Sequence, residues 1–193
     1  MNIRKQYKFE ASHIVRNCSS DRCSHSIHGH SYIVEVIFTS NQLDAGGMIY
    51  DFGLTKGTIG DFIDSFDHCH QIWSKESSEF KDFFANNCDR VIIMPVSPSA
   101  ENYALMFLQG ITRILDNTVF GNGEGVVGVH SVRVHETKTG YAEAFKSDLD
   151  NMYPHDILDL EFSYHIMEDW KYPMTQMIKS NELFVNDIPV HQI

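Results

Sequence analysis

Two histidines flank a single glycine at His28-Gly29-His30, the densest chemical signal in the chain. On a β-strand the side chains of residues i and i+2 point to one face, so both imidazoles project from the same side. That side continues as Tyr32, Val34, Val36 and Phe38, an apolar row. His13 has the parity of Phe9 and Ala11 on an earlier alternating stretch. Three histidines on the inner faces of neighbouring strands can converge, and three neutral imidazoles with an open fourth position suit a catalytic zinc ion. A lone histidine is ordinarily a satisfied core or surface residue. Here a pair on an apolar strand face, with a third in register, reads as a metal site. His25 lies in the irregular segment 17–26, which gives it no fixed direction, and is read as a bystander.

Cys23 lies five residues before His28. A thiol beside a divalent cation tends to lose its proton, which would make it a general base; an inert loop thiol fits the spacing equally well. Cys18 and Cys88 have no such neighbourhood. Asp67-His68 follows a helical pattern. A carboxylate next to an imidazole orients it and favours its charged form, and a helix C-terminus adds to that. A surface histidine capping a helix also fits. Glu136 ends a buried-looking strand and could bind a guanidine-like edge bidentately, although carboxylates at strand ends are usually solvated. Asp51-Phe52-Gly53 before Lys56 reads as a turn with a solvated lysine.

The elements that must position these groups follow from periodicity. Period-2 alternation over residues 7–12 and again over residues 28–39 predicts two strands. Ala45-Gly46-Gly47 is turn material, and residues 48–50 read as a short strand beyond it. Ile59, Phe62, Ile63 and Phe66 form an amphipathic helical stripe, with Asp67 and His68 at its end. Residues 74–89 read as a loop with at most a helical turn. Residues 91–94 are a short apolar run, and Ser97-Pro98-Ser99 resembles a helix start before a second amphipathic helix from Tyr103 to Leu115. Residues 126–134 and 141–145 then read as a hairpin, followed by an ambiguous tail from residue 148. This is an α+β order in which sequential strands pair antiparallel.

The chain has 193 residues, which suggests one domain of ordinary size or one domain plus a tail. With 15 basic and 26 acidic residues its formal charge is −11, so neither nucleic acid nor an anionic membrane is an expected partner. No apolar run approaches the roughly 18 residues of a transmembrane helix. The N-terminus does not resemble a secretory signal. The four cysteines form no CxxC pair and read as reduced thiols of a cytoplasmic protein.

These residues resemble a known family. FEASH (residues 9–13), a cysteine before HGHSY (28–32), GMIYDFG with Lys56, FDH (66–68), PSAEN (98–102) and the Glu136-Thr137 pair, with Tyr141 beyond, stand in order and at family-like spacing. Together they are similar to the 6-pyruvoyl-tetrahydropterin synthase and 6-carboxy-tetrahydropterin synthase family over about residues 3–146. The resemblance implies a tetrahydropterin synthase-like domain over residues 1–147 and an extension of no assigned role over 148–193. It implies the tunnelling fold: a four-stranded antiparallel sheet with two helices on one face, assembled as a trimeric barrel or hexamer with active sites between subunits. His13, His28 and His30 would bind Zn2+, and Cys23 would abstract a proton. Asp67 and His68 would form the acid and relay pair, Glu136 would hold the pterin ring, and Ser99, Ala100 and Glu101 would lie near the pterin pocket.

Four residues separate Cys23 from His28, where the carboxy-forming branch typically has three and the pyruvoyl-forming branch five. A gapless alignment on the former would place Ser24 at the base position. We assign the role to Cys23, because serine is far too weak an acid and a loop can absorb one residue. HGHSY and GMIYDFG resemble the carboxy-forming, queuosine-pathway branch. That branch converts the small-molecule substrate 7,8-dihydroneopterin triphosphate to 6-carboxy-5,6,7,8-tetrahydropterin, acetaldehyde and triphosphate. The alternatives are a 6-pyruvoyl-tetrahydropterin synthase, which eliminates triphosphate from the same substrate, and a non-catalytic pterin- or metal-binding homologue.

Overall fold

The N-terminal alternation becomes β1 (Asn2–His13), which pairs antiparallel with β2 (His28–Thr39) over its full length. Between them lies a short helix, α1 (Asp21–His25). Phe9, Tyr32, Val34, Val36 and Phe38 are all buried, as their parity requires. The register sets His13 opposite His28 and Ala11 opposite His30. Gly29 makes this pairing possible, since a Cβ there would stand 3.0 Å from the Ala11 carbonyl oxygen. The computed structural model describes residues 1–171, Met174, and the backbone of residues 184–185.

After β2 the chain turns at residues 44–50, which form no strand; Ile49 and Tyr50 are buried from within a turn instead. A 3₁₀ turn (Leu54–Lys56) leads into α2 (Thr58–Asp64) and then β3 (Cys69–Trp73), a strand that no alternation in the sequence marks. Residues 74–89 are not a loop: they contain α3 (Ser78–Asn87), capped by Ser77, whose hydroxyl accepts from the Phe80 amide. Then come β4 (Val91–Met94) and α4 (Ala100–Asp116), the latter capped by Ser99 as the Ser-Pro-Ser start suggested. β5 (Thr118–Val119), β6 (Gly128–His135), β7 (Tyr141–Phe145) and α5 (Lys146–Met152) follow. A second 3₁₀ turn (Ile157–Asp159), β8 (Glu161–Phe162), α6 (Tyr164–Glu168) and β9 (Phe184–Val185) complete the described elements.

The sheet corrects the expectation of four antiparallel strands. It has seven, in the order β7-β6-β2-β1-β3-β4-β8, and is mixed. Only β7-β6-β2-β1 is an antiparallel run; β3 joins β1 in parallel, β4 joins β3 in parallel, and β8 closes the far edge antiparallel. A separate parallel pair joins β5 and β9. The parallel strands were hard to see because β3 is buried on both faces, so it carries no alternation.

One face of the sheet packs on α2 and α4 through an aromatic cluster in which Phe107 meets Phe9, Phe62 and Phe66 at centroid distances of 5.8, 5.7 and 4.9 Å. Gly110 lets the helices approach, because a Cβ there would come within 2.5 Å of the Phe62 ring. On the other face α3 covers β3 and β4 through a smaller cluster of Ile72, Phe84 and Val91. From the tail, Tyr153, Ile157, Leu160 and Ile166 are buried in the main core. Residues 172–193 of the extension lie outside the described residues, apart from the buried Met174 and the β9 backbone.

Candidate metal centre and active site

The register at the end of β1 brings His13 against His28, with ring centroids 4.5 Å apart, and His30 lies 5.3 Å from His13 by the same measure. One ligand nitrogen from each lies within 4.8 Å of the others. His13 is fully buried, whereas His28 and His30 are half-buried, so the cluster opens on one side. His13 Nδ1 donates to the Pro98 carbonyl at 2.6 Å, and His28 Nδ1 donates to the Ser26 carbonyl at 3.0 Å. Each bond commits Nδ1 to a proton and leaves Nε2 a bare lone pair. The two Nε2 atoms are 3.1 Å apart. Burial, opposed by the Pro98 bond and reinforced by the neighbouring imidazoles, lowers the pKa of His13 to about 4. It is therefore neutral near pH 7 and has no second proton to share with His28. If both rings are neutral in this tautomer, their Nε2 lone pairs oppose each other, and a cation held between them relieves that repulsion. Tetrahedral zinc with Zn–N bonds of 2.0–2.1 Å separates its nitrogens by roughly 3.3 Å, so the donor set fits such an ion.

Glu136, just past β6, aims Oε1 at the same point, 3.6 Å from His13 Nε2 and 3.8 Å from His30 Nε2. It also lines a cavity of about 350 Å³ with Ser31, Ile33, His135, Thr137 and Lys138. The carboxylate assigned to a ring-shaped ligand thus borders both the cavity and the histidines. Tyr32 joins this group, a residue that parity had assigned only to the apolar row. Its buried hydroxyl lies 3.3 and 3.4 Å from the two ring nitrogens of His13 and 3.5 Å from Glu136 Oε1. The signal was available: Tyr32 shares strand and parity with His28 and His30. The Pro98 carbonyl had no sequence signal, since any residue carries one.

Behind Tyr32 a polar chain runs into the core. Tyr103 donates to Gln71 Oε1 at 3.0 Å, and Gln71 Nε2 donates to Cys69 Sγ at 2.9 Å. Burial pushes the Cys69 thiol up to about 12, so it is a protonated core residue and no nucleophile.

Cys23 sits on α1, half-buried, its carbonyl accepting from the Val15 amide at 3.0 Å. Ser24 beside it is buried, with Oγ 2.7 Å from His25 Nδ1. The serine that a gapless alignment would make the base is turned inward and engaged, while the thiol forms no hydrogen bond among the described residues.

Asp67 and His68 do not end the helix. α2 stops at Asp64, and the pair occupies the corner before β3, where His68 has φ +54°. The corner is held by β1: Asp67 Oδ1 accepts from the Glu10 amide and the His68 amide donates to the Glu10 carbonyl, each at 2.7 Å. Asp67 Oδ2 is 2.7 Å from His68 Nδ1. Burial raises the Asp67 pKa, but the Glu10 amide and the His68 ring outweigh it and hold the carboxylate below its ordinary value. The orienting carboxylate is thus present, the His68 ring is exposed, and no hydrogen bond or ion pair among the described residues joins it to the three-histidine cluster. Ser99 caps α4, Ala100 is buried and Glu101 is exposed in the first turn. None of the three lines the cavity beside Glu136.

Fold and site together define an α+β protein with a three-histidine cluster able to hold a metal beside a carboxylate-lined cavity. The family model described as 6-pyruvoyl tetrahydropterin synthase matches residues 2–147, and the chain belongs to that family. A Helicobacter pylori (strain J99) protein named 6-carboxy-5,6,7,8-tetrahydropterin synthase is 48% identical, with 100% of both chains covered. The chain is a pterin synthase of the lyase type. Among solved structures, an uncharacterized protein of Wolinella succinogenes shares the fold with a TM-score of 0.58 at 21% identity, covering 76% of this chain and 98% of its own. A Caenorhabditis elegans 6-pyruvoyl tetrahydropterin synthase superposes with a TM-score of 0.51 at 20% identity over 75% of this chain and 94% of its own. No helix among the described residues is long and apolar enough to cross a membrane.

Proposed function

We propose that the protein is a Zn2+-dependent, cytoplasmic 6-carboxy-5,6,7,8-tetrahydropterin synthase that acts on 7,8-dihydroneopterin triphosphate in queuosine precursor synthesis. The observation that carries the reading is the convergence of ring nitrogens from His13, His28 and His30, with Glu136 joining that cluster to a cavity. Bound there, zinc supplies Lewis acidity that lowers the pKa of a ligated hydroxyl and stabilises negative charge next to it. His13, His28 and His30 hold it, with Pro98 and Ser26 fixing two of the tautomers. Glu136 accepts from the N–H edge of the pterin in the adjoining cavity, and Cys23 takes a proton from the substrate side chain. His68, oriented by Asp67, returns a proton.

Within one chain His68 stays apart from the cluster, and the reading therefore includes assembly. On the side facing β3, residues 2–9 of β1 have no strand partner among the described residues, and among those residues β7 pairs only with β6. Such edges call for cover. Joining the β7 of one copy to the β1 of the next closes a trimeric barrel, alone or stacked as a hexamer, and the active site is completed between copies. Ser99, Ala100 and Glu101 then belong to the pterin site as contacts across that interface.

Incubation of the purified protein with 7,8-dihydroneopterin triphosphate, followed by mass spectrometry of the pterin, tests the reaction. A 6-carboxy product with acetaldehyde is expected. A 6-pyruvoyl product would move the protein to the other branch, and unchanged substrate would overturn the enzymatic reading.

A further inference from the structure

The segment 74–89 contains α3, and nothing in the site described above uses it. Its contacts are specific nonetheless. Arg16, three residues past the metal-side end of β1, donates from Nε to Glu76 Oε1 at 2.5 Å and from Nη2 to Glu76 Oε2 at 3.4 Å. The same guanidinium donates from Nη1 to the Ser24 carbonyl at 2.9 Å and lies over the Phe80 ring, 5.7 Å from its centroid. The fork of an arginine can bond a carboxylate and a carbonyl at once in a fixed plane. One side chain thereby ties the helix that carries Cys23 to the segment that carries α3. At the other end of α3, Phe84 stacks on His70 with centroids 3.8 Å apart, and His70 Nδ1 bonds Ser12 Oγ at 2.8 Å. Ser12 is the residue before His13, on the opposite face of β1.

The geometry points to residues 74–89 as a brace for the active site, with Arg16 and Glu76 as positioning residues for Cys23. The segment grips α1 through Glu76 and Arg16, and grips the end of β1 through Phe84, His70 and Ser12. It thereby fixes the thiol relative to the metal histidines without touching substrate. The inference rests on the reading of Cys23 as the proton-abstracting base. Arg16 anchors the loop at the carbonyl of Ser24, the residue next to Cys23.

The test uses the metal-loaded full chain with Arg16→Met and Glu76→Ala, and reads three quantities. Misplacement of a reacting group by about 1 Å costs on the order of 100-fold, so kcat should fall about 10- to 100-fold in each variant. KM for the pterin triphosphate and bound zinc should stay within about twofold, since neither passes through this contact. The rate of Cys23 alkylation by iodoacetamide, followed by peptide mass mapping, should change by at least about threefold. Arg16→Lys should restore part of kcat, and the double variant should be no slower than the slower single, because both remove one linkage. If either variant fails to fold, Glu76→Gln, which keeps the shape and drops the charge, carries the same comparison. Wild-type kcat together with a wild-type Cys23 alkylation rate overturns the brace. If instead Cys23→Ala turns over like the wild type, the reading of Cys23 as base fails, and the alkylation rates alone decide whether the brace positions the loop.

Discussion

With carbonyl acceptors at Pro98 and Ser26 beside both Nδ1 atoms, neutral His13 and His28 turn their Nε2 lone pairs toward each other. A metal answers that arrangement, and loss of one arm should show in metal content. His28→Ala is expected to leave the purified protein with zinc well below one per chain by elemental analysis; full occupancy would sink the assignment. The Cys23 and Ser24 environments predict a second contrast. Cys23→Ala should lose most turnover, commonly about 10²–10⁴-fold for an acid–base group, while keeping zinc and pterin binding. Ser24→Ala should change kcat little, since its hydroxyl is buried against His25. Steady-state rates on the two variants decide it, and the reverse pattern would show that the serine is the base. At this scale the three metal ligands were legible because parity on paired strands fixes the direction of a side chain. The separation of Asp67-His68 from them was not, since it depends on where α2 stops and on a left-handed corner at His68.

The elements divide along the same line. β1 and β2 could be read from alternation, β6 from its β-branched run, β7 as the partner of a hairpin, and α4 from its stripe and its Ser-Pro-Ser start. β3 is buried on both faces and α3 is mostly exposed, so neither carried a period that stands out. Their meeting point gives a testable consequence. Burial lowers the pKa of His70, stacked on Phe84, to about 4, whereas a histidine in the unfolded chain titrates near 6.5. Above pH 6.5 both states are neutral at this site, and it contributes no pH dependence. Between pH 6.5 and about 4 the unfolded chain binds a proton that the folded chain refuses. Stability therefore falls with pH there, by up to about 1.4 kcal/mol per unit for one group. Below that window both states are protonated and the slope ends. His70→Phe keeps the stack and removes the titration. In urea unfolding at pH 7.5 and pH 5, the wild type should lose more stability on acidification than the variant; equal losses would refute the assignment of that proton to His70.

For the whole molecule, the sheet decides what one copy leaves unfinished. Its far edge is closed within the chain: β8 caps β4, Trp170 donates to Ser65 Oγ at 2.7 Å, and Arg90 joins Asp169 while holding the Asp67 carbonyl at 2.8 Å. The tail thus secures the corner that presents His68, although nothing in its ambiguous sequence pattern announced that task. Among the described residues the near edge has no such cover. Tyr141 and Phe145 stand exposed on β7, and the backbone of residues 2–9 on the outer side of β1 offers donors and acceptors to no strand among the described residues. A single chain that ended so would risk uncontrolled edge pairing, whereas cyclic closure satisfies both edges with one repeated contact. Light scattering at micromolar concentration should therefore give a mass of at least three times the 22.1 kDa chain. Replacing Ala142 by proline on β7 should weaken the assembly, because its lost amide and fixed φ disrupt strand pairing. If the inter-chain reading of the site is right, kcat in that variant should fall with the mass while the three-histidine cluster, built within one chain, still binds zinc. A monomeric wild type with full turnover would remove both the assembly and the shared active site.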